Sequence, residues 1–102
     1  MAQTPEGKVK ARLKQMFKAF EPDLYWFCPV QAGYGAAGLD FHCTFRGEAF
    51  FVETKAPGKK LTKRQNATQA RIELAGCRVF VVDSDTGIQE VKEWLTKRIN
   101  SE

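Results

Sequence analysis

The sequence predicts an α/β domain with a mixed four-stranded sheet flanked by helices, in the order α-β-β-β-α-β-α. Apolar residues recur at helical spacing near both ends of the chain. Strand-like segments in the middle are joined by a short turn. The later strand–helix–strand alternation predicts a right-handed crossover between parallel strands. Since 102 residues is the length of one domain, we expect a single domain over residues 1–102.

The first helix is predicted to begin at Thr4-Pro5, because a hydroxyl N-cap precedes a proline suited to the first helical position. It should run to about Phe20 with one apolar stripe, formed by Val9, Leu13, Met16, Phe17 and Phe20. Glu6 falls within this stripe. It is either a first-turn acid favoured by the helix dipole or a carboxylate aimed at the sheet. We interpret the basic residues of this helix as a solvated face, formed by Lys8, Lys10, Arg12, Lys14 and Lys18.

Residues 24–30 form an aromatic-rich segment that is predicted to be a strand. Pro29 cannot donate a ladder hydrogen bond, so the strand should lie at a sheet edge or be bulged near its end. The glycine-containing segment 31–38 follows, and it lacks the Gly-Lys-Ser/Thr of a phosphate-binding loop. We expect it either to let a nucleic-acid duplex approach closely or to be a plain flexible turn.

The segment 38–55 is predicted to form a hairpin that turns at Arg46-Gly47. Because side chains alternate along a strand, one face should be apolar and buried, formed by Leu39, Phe41, Cys43, Phe45, Phe50 and Val52. The other face should carry Asp40, His42, Thr44, Phe51, Glu53 and Lys55.

The register of this hairpin decides which polar groups meet. With a two-residue turn, Phe45 pairs with Glu48, and counting outward places Asp40 opposite Glu53. A three-residue turn would instead place Asp40 opposite Thr54. The segregation of apolar side chains on one face favours the first register.

The second half of the chain contains a helix, a strand and a final helix. Thr62 and Gln65 form a capping box that begins the middle helix, and Gly76 ends it. Gln65 is either the reciprocal cap or a residue that faces the site. The apolar segment 78–83 is predicted to be a central strand covered on both sides. Apolar residues then stripe the last helix, namely Ile88, Val91, Leu95 and Ile99, with Trp94 beside them.

Charge favours an anionic partner, since 16 basic and 12 acidic residues leave a net charge of +4. Four cations cluster near the start of the middle helix: Lys59, Lys60, Lys63 and Arg64. They form either a phosphate-contacting edge or an ordinary solvated charge run.

The three cysteines, Cys28, Cys43 and Cys77, are odd in number and have apolar neighbours. We expect buried free thiols in a reducing compartment. No apolar run approaches ~18 residues, and the N-terminus lacks a signal-peptide pattern, so we expect a cytoplasmic protein without membrane contact.

Two carboxylates that face each other across antiparallel strands repel unless a cation lies between them. Mg²⁺ or Mn²⁺ would suit the oxygen ligands of Asp40 and Glu53, and the carbonyl of Thr54 could add a further ligand. Lys55 could orient an attacking water or neutralise a phosphorane-like transition state. This set suits phosphodiester hydrolysis. The alternative is a surface salt bridge between Lys55 and one of the acids.

The motifs Gly38-Leu39-Asp40, Glu53-Thr54-Lys55 and Leu61-Thr62-Lys63-Arg64-Gln65 resemble those of the PD-(D/E)xK nuclease superfamily. More closely, the chain resembles the compact, stand-alone, phage-type form of the VRR-NUC (virus-type replication-repair nuclease) branch. The resemblance implies a restriction-endonuclease-like core and metal-dependent cleavage of DNA. Leu39 stands where the superfamily motif has proline, a change that removes no metal ligand.

The resemblance also implies roles for single residues. Asp40 and Glu53 would bind Mg²⁺ or Mn²⁺ with the Thr54 carbonyl, and Lys55 would serve catalysis. Gln65 would face the site, and Glu6 would complete or support it. Apart from the resemblance, the DNA contacts expected from the sequence are Lys59, Lys60, Lys63, Arg64, Tyr34, Gly35 and His42. His42 is either a substrate contact or a bystander.

The expected function is therefore that of a structure-specific endonuclease acting on double-stranded or branched DNA. Stand-alone members of the branch are similar to Holliday-junction resolvases, so a homodimer is expected, in the host cytoplasm if the protein is phage-encoded. The alternatives are a flap, duplex-end or restriction-like nuclease, and a DNA-binding module without catalysis.

Overall fold

The computed structural model describes residues 3–29 and 38–101, and its elements follow in the predicted order. Their bounds are α1 (Pro5–Lys18), β1 (Leu24–Phe27), β2 (Phe41–Phe45), β3 (Glu48–Thr54), α2 (Lys63–Leu74), β4 (Arg78–Val82) and α3 (Asp85–Asn100). The strands form one mixed sheet in the order β1-β2-β3-β4, with helices packed against it. The predicted fold class is confirmed.

The hairpin of β2 and β3 has the predicted register, with Phe45 paired to Glu48. Both turn residues have positive φ, +52° at Arg46 and +86° at Gly47. This is the backbone that a two-residue type I′ turn requires. The turn and the register together bury the whole predicted apolar face, formed by Leu39, Phe41, Cys43, Phe45, Phe50 and Val52.

Helices α1 and α3 cover this apolar face. The ring of Phe17 on α1 packs edge-on against Phe41 and Phe50, with centroids 5.7 and 6.3 Å away. On α3, the Trp94 ring lies 5.0 Å from that of Phe50, and Val91 and Leu95 are fully buried. The opposite side of the sheet, which we call the outer face, carries α2 against β4.

Strand β4 lies at the edge of the sheet, so the prediction of a central position is wrong. It is parallel to β3, as the crossover through α2 requires. Its apolar character arises because helices pack on both of its faces, α3 on one and α2 on the other. Phe80 and Val82 are buried in the core, whereas Val81 on the outer face is partly exposed.

Strand β1 occupies the other edge of the sheet, as Pro29 predicts. It ends at Phe27, earlier than the predicted end at Val30, which lies outside the described residues. Pairing with β2 stops where Phe27 meets His42. The proline two residues later cannot continue the ladder.

The helix ends follow the predicted signals. Thr4 Oγ1 accepts a hydrogen bond of 3.0 Å from the Gly7 N–H at the start of α1. After α2, Gly76 adopts a φ of +98°, the left-handed conformation that favours glycine beyond a helix. Within residues 3–29 and 38–101, no helix combines the length and apolarity needed to cross a membrane.

The cysteines are all free thiols, but they differ in burial. Cys43 is buried, and burial raises the pKa of its thiol to about 12. Cys77 is half-buried. Cys28 is exposed, so the prediction of a buried thiol is wrong there, because this residue follows the end of the edge strand.

Replacing Phe50 with alanine should lower the free energy of unfolding by roughly 3–5 kcal/mol, the typical cost of deleting a buried aromatic ring. Phe50 is fully buried among Phe17, Phe80 and Trp94. Urea denaturation measures the change. Leu74→Ala is the matched control, because Leu74 is highly exposed and should change stability by less than about 0.5 kcal/mol. Equal effects of the two changes would contradict this account of the core.

Candidate active site

Asp40 and Glu53 lie side by side on the outer face, and we call them the acid pair. The pairing of Phe41 with Val52 brings the preceding Asp40 next to the following Glu53. The Asp40 N–H donates to Glu53 Oε1 over 3.1 Å. Asp40 Oδ2 accepts from the N–H (3.0 Å) and the hydroxyl (2.6 Å) of Thr54. The two carboxylates therefore adjoin, as the predicted register requires.

Glu53 is the more deeply placed acid, with 4% of its side chain exposed. Burial, together with the negative charge of Asp40, raises the pKa of Glu53 to about 7. The Asp40 N–H and Lys55 favour the ionised form but do not outweigh these effects. A buried acid beside a second acid is a site where a bound cation would be stabilising.

Gln65 caps α2 and contacts the acid pair with the same side chain. Its Oε1 accepts from the Thr62 N–H over 3.0 Å, and its own N–H donates to Thr62 Oγ1 over 3.1 Å. Its Nε2 donates to Glu53 Oε2 over 2.8 Å. The two roles considered for Gln65 are thus filled together, and the start of α2 is tied to the acid pair.

Lys55 lies on the same face, with its Nζ 3.9 Å from Glu53 Oε2. Its side chain is 14% exposed, so this contact is more buried than an ordinary surface salt bridge. The Lys55 N–H donates to the Val82 carbonyl over 2.9 Å. This hydrogen bond fixes the end of β3 to β4 and so positions the lysine.

Glu6 reaches the site indirectly, through Lys10. The Lys10 Nζ lies 3.3 Å from Glu6 Oε2 and 3.8 Å from Asp40 Oδ2. Burial lowers the pKa of Lys10, but the charges of Asp40 and Glu6 outweigh this effect and raise it. Glu6 therefore supports the site through Lys10, whose ammonium it holds beside Asp40.

The interpretation of Lys10 as part of a solvated face is wrong, since 35% of its side chain is exposed and its ammonium faces the acid pair. Residues four apart lie on the same side of a helix, so Lys10 shares the side of α1 that carries Glu6. That spacing is the sequence signal that could have identified Lys10. How far its long side chain reaches depends on the packing of α1 against the sheet.

The oxygen ligands of the site fit a hard divalent cation. Within residues 3–29 and 38–101, no group of three or more His, Cys, Asp or Glu side chains is placed to hold a metal ion. The acid pair offers two carboxylates as side-chain ligands, and Mg²⁺ commonly completes so small a set with waters or phosphate oxygens. The Thr54 N–H points at Asp40, and in an extended strand the carbonyl of the same residue points to the same side.

The predicted basic edge lies near the start of α2, where Lys59, Lys60 and Lys63 are exposed. A residue that the sequence analysis did not single out fixes the preceding turn. Asp83 Oδ2, at the end of β4, accepts from the Gly58 N–H over 3.1 Å. The segment that presents these cations is thereby attached to the sheet beside Lys55.

The other three predicted DNA contacts are Tyr34, Gly35 and His42. Tyr34 and Gly35 lie outside the described residues. His42 is on the outer face, with its ring packed between those of Phe27 and Phe51. Burial lowers the pKa of His42, which favours a neutral imidazole. His42 therefore lies among aromatic rings.

Comparison with known proteins identifies a solved structure with a similar fold. No protein-family model and no curated protein matches the chain. A solved structure described as "VRR_NUC domain" is similar, with a TM-score of 0.78 and 27% sequence identity. The match covers 89% of this chain and 97% of that one. This likeness supports a VRR-NUC domain and confirms the resemblance found in the motifs.

The shifted pKa of Glu53 predicts how the stability of the metal-free protein depends on pH. The folded-state pKa is about 7, above the ordinary value of 4.5. The contribution of Glu53 is therefore fully present below about pH 4.5 and is lost as pH rises to about 7. At ~1.4 kcal/mol per pKa unit, the loss is of the order of 3 kcal/mol.

Urea denaturation in a chelator, across this pH range, measures the effect. Since other groups also titrate, the comparison is between the wild type and Glu53→Gln, which cannot ionise. The free energy of unfolding of the wild type should fall more steeply with pH than that of the variant. Parallel pH profiles would contradict the placement of Glu53 as a buried acid.

Proposed function

We propose that this VRR-NUC domain is a metal-dependent endonuclease that hydrolyses DNA phosphodiester bonds. The observation that carries the proposal is the acid pair, in which a nearly buried Glu53 adjoins Asp40 on the outer face. Lys55 lies on the same face within 3.9 Å of Glu53. Two acids and a partly buried ammonium form the kind of set that hydrolyses phosphodiesters with a divalent cation.

In this proposal Asp40, Glu53 and the Thr54 carbonyl hold Mg²⁺ or Mn²⁺. The bound ion would acidify a water and stabilise negative charge on a phosphate oxygen. Gln65 keeps Glu53 oriented through its hydrogen bond to Oε2. Lys10 partly neutralises Asp40 before the metal binds, so metal binding has to compete with this contact.

Lys55 serves the chemical step. Its Nζ can hold the attacking water by a hydrogen bond, or neutralise charge that develops on the phosphate. The low exposure of the side chain strengthens this electrostatic contribution, because little water screens the ammonium.

The proposed substrate is branched DNA, cut by a homodimer whose two sites incise two strands. The resemblance to stand-alone VRR-NUC proteins supports this choice, and a two-fold dimer would present two identical sites to a four-way junction. The net charge of +4 and the exposed lysines beside the acid pair favour a phosphate backbone.

A cleavage panel tests the substrate class. Labelled four-way junction, flap and linear duplex are compared at matched salt, with Mg²⁺, with Mn²⁺ and with chelator, since salt strongly affects DNA affinity. The proposal expects cleavage only with metal and fastest on the junction. Preference for flaps or duplex ends would retain the nuclease and replace its substrate, whereas no cleavage of any DNA would contradict the nuclease.

Asp40→Asn and Glu53→Gln should each reduce the cleavage rate by roughly 100-fold or more, since each removes a proposed metal ligand. DNA affinity in chelator should not fall, because both changes preserve side-chain shape and remove only negative charge, which repels the phosphates. Glu90→Gln is the matched control, an exposed acid on α3. Undiminished cleavage in either site variant would contradict the assignment.

Lys55→Met should slow cleavage by roughly 100-fold, the scale expected when one group that stabilises transition-state charge is removed. Mn²⁺ affinity measured by calorimetry should stay within a few-fold, because the change removes no metal ligand. Lys97→Met, on the last turn of α3, controls for the lost charge. A parallel loss of metal affinity and rate would instead assign Lys55 to the metal site.

A further inference from the structure

Three aromatic rings form a continuous row across the outer face, one from each of β1, β2 and β3. Phe27 pairs with His42, and His42 pairs with Phe51. The ring centroids are 5.2 Å apart for Phe27 and His42, and 4.9 Å apart for His42 and Phe51, both edge-on. We call these three residues the aromatic row. Tyr25 extends it, with its ring 6.2 Å from that of Phe27.

The aromatic row lies next to the acid pair. His42 is two residues from Asp40 along β2, and Phe51 is two residues from Glu53 along β3. Residues two apart in a strand point to the same face and are separated by ~6.6 Å. A strand whose phosphate lies at the acid pair would thus have its neighbouring bases within reach of these rings.

The row is not part of the hydrophobic core. The core cluster joins the other face of the sheet to α1 and α3, and none of the four aromatic residues belongs to it. Phe27 is 45% exposed and Tyr25 is 66% exposed. The exposed parts of the Phe27 and Tyr25 rings are therefore available for a ligand.

We propose that the aromatic row binds unpaired nucleobases of the DNA strand whose backbone enters the acid pair. This inference rests on the proposed nuclease function and adds a contact to bases that are unpaired at the branch point, which a fork with unpaired arms presents as a probe. Stacking on aromatic rings accepts any base, since every base presents a π face. In an intact duplex the faces of the bases are covered by their neighbours, so bases freed at a branch or fork are the ones that can stack here.

The choice of nucleobases follows from composition and position. The exposed rings are those of Phe27 and Tyr25, beside the half-buried imidazole of His42. The row adjoins two ammonium groups at the acid pair, those of Lys10 and Lys55. Aromatic rings beside cations are the combination that binds single-stranded nucleic acid. The alternative occupant, a second copy of the chain, is an outcome of the test below.

The test measures DNA binding in chelator, so that it does not depend on catalysis. Fluorescently labelled forked DNA with unpaired arms is compared with a fully paired duplex of equal length and equal salt. Phe27→Ala and Phe27→Leu should each weaken fork binding by roughly 5- to 100-fold and duplex binding by less than about 2-fold. Phe27→Tyr should bind the fork as the wild type does, because it keeps the aromatic ring.

A control variant and two further measurements test whether the effect is specific to the aromatic row. Ile99→Ala is the matched control, a partly exposed apolar residue on α3, on the other side of the sheet. A 2-aminopurine placed in the unpaired arm next to the branch should be quenched by the wild type and not by Phe27→Leu. Sedimentation should give the same oligomeric state for the wild type and all Phe27 variants.

Equal losses on fork and duplex, or no loss on either, would overturn the inference. So would a change of oligomeric state in the Phe27 variants, since the row would then be a contact between copies. The proposed nuclease is tested separately by metal-dependent cleavage. Cleavage with no fork preference in binding would overturn only the proposed role of the aromatic row. Phe27-dependent fork binding without cleavage would overturn only the proposed nuclease activity.

Discussion

The candidate site depends on the contact between Asp40 and Glu53. Two carboxylates on neighbouring strands are unfavourable unless protonation, hydrogen bonds or a cation offset their charge. Here the Asp40 N–H, the Thr54 N–H and hydroxyl, and Gln65 all donate to them. Burial and the charge of Asp40 nevertheless raise the pKa of Glu53. The metal ion proposed above would offset the remaining repulsion between the two carboxylates.

The rest of the fold holds this contact in place from three directions. The type I′ turn and the buried apolar face fix the hairpin register, which no single polar bond could do. The capping box ties the start of α2 to Glu53. On the remaining side, α1 brings Lys10 to Asp40. Core packing, helix capping and the candidate site are therefore coupled, so a change in one element would be felt at the acids.

Much of this arrangement could be predicted from sequence because local rules determine it. The turn at Arg46-Gly47 and the alternation around it specify the register, and Thr62 with Gln65 specifies the start of α2. The edge position of β4 could not be predicted, since an apolar strand can be covered by helices as well as by neighbouring strands. The position of the Lys10 ammonium depends on tertiary packing, which spacing along the chain does not give.

Calorimetric titration of Mn²⁺ into the metal-free protein tests the central claim most directly. It is carried out at about pH 8, because Glu53 is then largely ionised. The account predicts binding to the wild type and to Glu90→Gln. It predicts affinity reduced by roughly 10-fold or more in Asp40→Asn and in Glu53→Gln. Absence of binding to the wild type, or equal affinity in all four proteins, would contradict the claim that the acid pair is a metal site.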